Sequence, residues 1–125
     1  MSTMITRLLP VLALAGLAAC AGPKLPAPTD RGVCYTMVTI GQTHRFDPIA
    51  RNQEDIYHCA LELERMKMNL ERLTPQQSEI TGSFQGRFLF LNEYGIFQSD
   101  RYDGIRYLML VRYNRQLVVP SAVPQ

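Results

Sequence analysis

The chain has none of the patterns that announce a catalytic centre. Its 125 residues contain no P-loop, no G-x-G-x-x-G run, no H-E-x-x-H and no ordered Ser, His and Asp set. Phosphate-cradling, dinucleotide-binding, zinc-peptidase and serine-hydrolase chemistry therefore have no motif to rest on. The stretch GSFQG, residues 82 to 86, carries Phe84 where a hydrolase elbow needs its serine. Charge of one sign is missing too. Lys and Arg number 13 against 11 Asp and Glu, a balance too even to call for nucleic acid. After the first twenty residues no run is apolar for long enough to cross a bilayer as a helix. Cysteine and histidine are scarce, three and two, with no C-x-x-C and no H-x-x-x-H spacing. No cofactor and no metal are expected.

What is present begins with MSTMITRLLPVLALAGLAACAG. Arg7 and the α-amino group form a short positive region, residues 8 to 19 are apolar, and small residues follow. That is the layout of a secretory signal, too short to span a membrane. Leu17-Ala18-Ala19-Cys20 resembles the lipobox of bacterial lipoproteins. The resemblance implies cleavage before Cys20 and lipid attachment to its sulfur. Several acyl chains, each adding roughly 0.8 kcal/mol per buried methylene, make a durable anchor. Ala21 stands where Asp would retain such a protein in the inner membrane, so the resemblance implies an outer-membrane protein facing the periplasm. Four segments are expected: a signal over 1–19, a lipidated Pro-rich linker over 20–32, one domain over 33–119 and a flexible tail over 120–125. The linker carries Pro23, Pro26 and Pro28 and should be extended and semi-rigid. About 90 residues remain for a single modest core.

With Cys20 taken by lipid, Cys34 and Cys59 remain in an oxidising compartment. A disulfide between them is the first expectation, closing a loop that the chain-entropy account credits with roughly 3 kcal/mol. Two rivals stand beside it. Cys34, His44, His58 and Cys59 could contribute metal ligands, but adjacent residues 58 and 59 point about 100° apart on a helix. A Cys59 nucleophile would need a free thiolate with a base in reach.

The segment 33 to 41 is β-branched and aromatic and reads as a strand. Residues 44 to 52, with Pro48, read as loop, and Asn52 as a plausible helix cap. A helix follows to about residue 73. Its apolar stripe is Ile56, Cys59, Ala60, Leu63, Met66, Leu70 and Leu73, before Thr74-Pro75 ends it. From 79 to 91 a period-two alternation reads as one long strand. Further strands are expected at 94–99, 105–113 and 116–119, the last after a turn at Asn114-Arg115. The expected fold is α+β: a mainly antiparallel sheet of four to five strands with one long helix on one face.

Three features stand above this scaffold. On the period-two reading, Leu89, Leu91, Leu108 and Leu110 lie opposite Phe84, Phe88 and Phe90, and Arg87, Arg106 and Arg112 share their face. Such an Arg-rimmed apolar patch suits a protein partner, or the sheet curls or dimerises over it. Gly82 and Gly86 either leave a gap for a ligand or allow close backbone approach. Tyr57, Leu61 and Met68 form a lesser helix stripe that could seat another protein. The resulting expectation is a non-enzymatic envelope lipoprotein with a membrane anchor and a protein partner. A binding module for a lipid or glycan fragment is the alternative, and a hydrolase with an unrecognised site the last.

Overall fold

The computed structural model describes residues 25–75 and 79–124. The signal, the lipobox and Cys20 lie outside them. Among the described residues, seven strands and one α-helix run in the order β1 (Cys34–Ile40), β2 (Thr43–Ala50), α1 (Ile56–Leu73), β3 (Ile80–Phe84), β4 (Arg87–Asn92), β5 (Gly95–Ser99), β6 (Tyr107–Tyr113) and β7 (Gln116–Val118). All strand pairs are antiparallel, in the spatial order β2-β1-β3-β4-β5-β6-β7. The architecture is α+β. Helix α1 carries the chain from the β2 edge back across one face, so that β3 enters beside β1.

The two strands beyond the expected five have separate causes. Residues 44 to 52, expected as loop, contribute most of β2. This is an edge strand, and Pro48 is tolerated there because its missing N–H need not serve a ladder bond. The long strand expected over 79 to 91 is a hairpin. Gln85 (φ 46°) and Gly86 (φ 85°) form a two-residue turn with both residues left-handed. Gly86 is thus a turn residue and leaves no gap in a strand.

That turn decides which side chains are buried. Phe84 pairs with Arg87, three positions on, so even residues of β3 share a face with odd residues of β4. Ile80, Phe84, Leu89 and Leu91 therefore face the helix, together with Cys34, Ile96 and Leu110, and pack with Cys59, Ala60 and Leu63. The far face holds Phe88 and Phe90. Both are buried there, beneath Tyr102 at 5.8 and 6.1 Å between ring centroids, with Phe46 6.1 Å from Phe88. The Arg106 guanidinium lies 3.6 Å above the Phe90 ring and reaches Glu79 at 3.1 Å. The connection between β5 and β6 thus closes a second, aromatic layer.

The helix starts later than expected. Asp55, not Asn52, is its cap, accepting from the His58 N–H at 2.9 Å and bonding the His58 ring at 2.8 Å. Asn52 turns the chain at φ 58°. The bond to the His58 ring holds the Asp55 carboxyl below its ordinary pKa and raises that of the imidazole. The Asp55 contribution to stability is present above its unfolded pKa and fades as pH falls through the lowered folded value. The His58 contribution is full below its unfolded pKa and fades as pH rises through the raised one. The buried stripe is also rotated. Glu64 and Lys67 are buried on it, while Leu73 is 82% exposed at its end.

Cys34 and Cys59 form a disulfide with Cα atoms 5.2 Å apart, tying the first residue of β1 to the first turn of α1. Beside it, Gly82 lets the helix settle on the sheet. A Cβ there would lie 2.5 Å from Leu63 Cδ1 and 2.6 Å from the Tyr35 carbonyl oxygen. The space is filled by Leu63, so the glycine marks close approach and no ligand gap. The chain ahead of β1 is tied down as well: the Gly86 N–H donates to the Pro28 carbonyl at 2.8 Å and the Gln53 N–H to that of Gly32 at 2.9 Å. The segment expected as tail includes a 3₁₀ turn, Pro120–Ala122.

The close approach at Gly82 and the disulfide each contribute to stability by a measurable amount. Gly82→Ala should lower the unfolding free energy by about 1–3 kcal/mol, because a carbonyl oxygen cannot move aside as a side chain can. Urea unfolding reads the loss, and an unchanged midpoint would show that the helix can shift at little cost. Replacing Cys34 and Cys59 together by Ser should cost roughly 3 kcal/mol, the entropy of closing a loop of 25 residues' separation.

A candidate functional site: the groove beside the helix

Helix α1 packs over β1 to β4, leaving the part of its face that belongs to β6 and β7 for something else to fill. Arg112 and Leu117 pair there, on the same face as Leu110. Between these residues, the outer flank of α1 and the β4–β5 turn runs a groove of about 1180 Å³. Its walls come from Leu61, Glu64, Lys67 and Met68 on the helix, Glu93 and Tyr94 on the turn, and Arg112 and Leu117 from the β6–β7 hairpin.

The floor is an ion network. Arg112 Nε and Nη2 donate to the two Glu64 carboxylate oxygens at 2.6 and 2.8 Å, and Nη1 donates to the Asn92 carbonyl at 2.6 Å. This two-pronged bond raises the Arg112 pKa further above its ordinary value, outweighing the effect of partial burial. Lys67, almost wholly buried, pairs with Glu71 one turn along the helix. These contacts explain why the helix can bury two charged residues where an apolar stripe was expected. Each has an opposite charge to meet it, and the aliphatic stem of Lys67 adds packing.

The rim has a different character. Met68 is 58% and Tyr94 74% exposed, and Leu61 is 43% exposed. These side chains line the groove beside floor charges that are paired within the chain. The arrangement offers contact area with adaptable shape, since an unbranched thioether and a Tyr ring conform to a partner at small entropic cost. Two members of the lesser helix stripe, Leu61 and Met68, thus line this groove, whereas the exposed Tyr57 lies near the start of the helix.

The seven residues expected to form one Arg-rimmed leucine face do not form one. Leu89, Leu91 and Leu110 are buried against the helix, and Leu108 alone is exposed, at 42%. The hairpin turn moves Leu89 and Leu91 to the core. A bulge does the rest, because Ile96 pairs with Leu110 but Phe97 with Leu108, so Met109 is extra and the two leucines fall on opposite faces. The guanidiniums part company too. Arg87 meets Asp100 at 2.9 Å, Arg106 lies over Phe90, and Arg112 holds Glu64. Of the expected set, only Arg112 lines the groove.

The other rivals also separate in space. Cys34 and Cys59 are joined to each other, His58 is turned to Asp55, and His44 bonds Thr39 at 2.9 Å and packs against Tyr102. Among the described residues no three His, Cys, Asp or Glu side chains are grouped as a metal site. No helix among them is long and apolar enough to cross a membrane. The i, i+3 spacing of Glu64 and Lys67 suggests a pair on the solvated face of the helix, but both are buried, Glu64 pairing with Arg112 and Lys67 with Glu71.

The ion pair can be tested by a double-mutant cycle. Arg112→Met should cost about 2–3 kcal/mol by leaving the Glu64 carboxylate buried without a counterion. Glu64→Leu combined with Arg112→Met should recover most of that loss, as read by urea unfolding. Additive losses would show that the pair is not coupled. Comparison with protein families, characterised proteins and solved structures finds no match to this chain.

Proposed function

We propose that this chain is a cell-envelope lipoprotein, anchored through Cys20, that presents a disulfide-stapled domain for protein docking and performs no catalysis. The single observation that carries the docking part is the chemistry of the groove. The charges of its floor, Glu64 with Arg112 and Lys67 with Glu71, pair within the chain, while Leu61, Met68 and Tyr94 are exposed on its rim. A site prepared for catalysis keeps titratable groups poised for substrate. A site prepared for contact hides its charges and offers aromatic and thioether surface.

The anchoring part is supported by Leu17-Ala18-Ala19-Cys20 and the apolar run before it. The staple agrees with that address, since paired cysteines persist in oxidising compartments. Ala21 favours outer-membrane placement on the periplasmic side. The groove's volume also admits a second reading, an amphiphilic envelope ligand such as a lipid or glycan fragment. Native mass spectrometry of the chain from its own membrane would reveal such a ligand as an added mass.

Metabolic labelling with palmitate should mark the wild-type protein and leave Cys20→Ser unlabelled and no longer membrane-bound. An unlabelled wild type, or a Cys20→Ser variant still on the membrane, would remove the anchor from this reading. A photo-crosslinker at position 68 should give protein adducts that Tyr94→Glu suppresses, and their absence would remove the docking part.

A further inference from the structure

We infer that the groove's occupant is a second copy of this chain, the two grooves closing on each other about a two-fold axis. The inference deepens the docking reading above, and the exclusion of the chain's own start and the orientation on the bilayer both rest on processing and lipidation at Cys20.

The charges of the groove carry the argument. Its lining holds four acids, Glu64, Glu71, Glu79 and Glu93, and four bases, Arg65, Lys67, Arg112 and Arg115. A surface that meets itself needs such a balance, whereas a strongly acidic or basic partner would find no opposing field. Six of the eight already have partners inside the chain. Glu93 and Arg115 have no ion-pair partner among the described residues, and both are exposed. They sit on neighbouring turns, β4–β5 and β6–β7, at the same end of the sheet and with opposite signs. A two-fold axis through the groove carries Arg115 of one copy to Glu93 of the other and forms the pair twice. Leu61, Met68 and Tyr94 lie between as the apolar centre. The fifteen lining residues fall short of the roughly 20–30 a side of a standard interface, so the groove would be the middle of the contact.

The position of the chain's start removes two other occupants. Pro28 is bonded to Gly86 at the β3–β4 turn, while the groove reaches Asn92 at the other end of β4. Six residues of strand separate these points by about 20 Å. With the chain processed before Cys20, residues 20–24 span at most about 17 Å, too little to reach and fill the groove. A bilayer at the start of the chain likewise meets the opposite end of the sheet. Copies anchored in one leaflet would hold their grooves at the same height, as a two-fold axis along the membrane normal requires.

The test uses the full chain purified in detergent, with its mass read by sedimentation and native mass spectrometry. The wild type should be a dimer in reversible exchange with monomer. Glu93→Arg and Arg115→Glu should each weaken it about tenfold, through like charges that now face each other twice. The double swap should restore wild-type affinity, an outcome that damage to the fold would not produce. Both residues are exposed on turns, and an unchanged circular dichroism spectrum checks each variant. A wild type that stays monomeric, or a dimer indifferent to the swaps, overturns the inference. A monomer whose groove nevertheless cross-links to a different protein overturns it while leaving the docking reading in place.

Discussion

The whole arrangement depends on how close α1 can come to the sheet. Leu63 occupies the space a side chain at 82 would need, and the disulfide fixes the helix's first turn to β1 at the same end. Together they set both the height and the direction of the helix. A helix held there covers the β1 to β4 side of the sheet and cannot also cover β6 and β7. Interiors close at near-crystalline density, so the uncovered part must either find other cover or stay wet. Here it became a groove, with Glu64 and Arg112 bridging helix and sheet across it.

The far face met the same problem with different means. Among the described residues a single α-helix serves the seven-stranded sheet and leaves one face without a helical layer, and Phe88 and Phe90 lie on that face. The β5–β6 connection folds over them, placing Tyr102 and the Arg106 guanidinium on the rings. Aromatic rings and a stacked guanidinium cover much area with few residues. Arg106 therefore belongs to the packing, although its charge made it resemble part of a binding rim. The exposed apolar groups of Leu61, Met68 and Tyr94 gather beside the helix instead.

Much of this was legible from residue order. The helix ends where Thr74-Pro75 predicts, its Cys59 and Leu63 face the core, and Cys34 and Cys59 pair as expected. The Asn114-Arg115 turn also stands where it was read. The leucine face was not legible, and its failure has a local cause. Gln85-Gly86 lacks the Asn or Asp that usually marks a two-residue hairpin, and the alternation runs through the turn without a break. The phase shift that a two-residue turn imposes is hidden here because β4 is apolar on both faces, Phe88 and Phe90 continuing the even positions while Leu89 and Leu91 fill the odd ones.

The helix, the strands β1, β5, β6 and β7 and the joining of the two thiols were determined by the sequence alone, since they follow from short-range preference and from a shortage of other partners. Which residues are inside was decided only in three dimensions. One turn reverses the inward and outward sense of every residue after it, and one bulge separates Leu108 from Leu110. The burial of Glu64 needed Arg112, 48 positions away, to make it bearable. A charge enters a core only where an opposite charge is held to meet it, and that placement belongs to the folded chain as a whole.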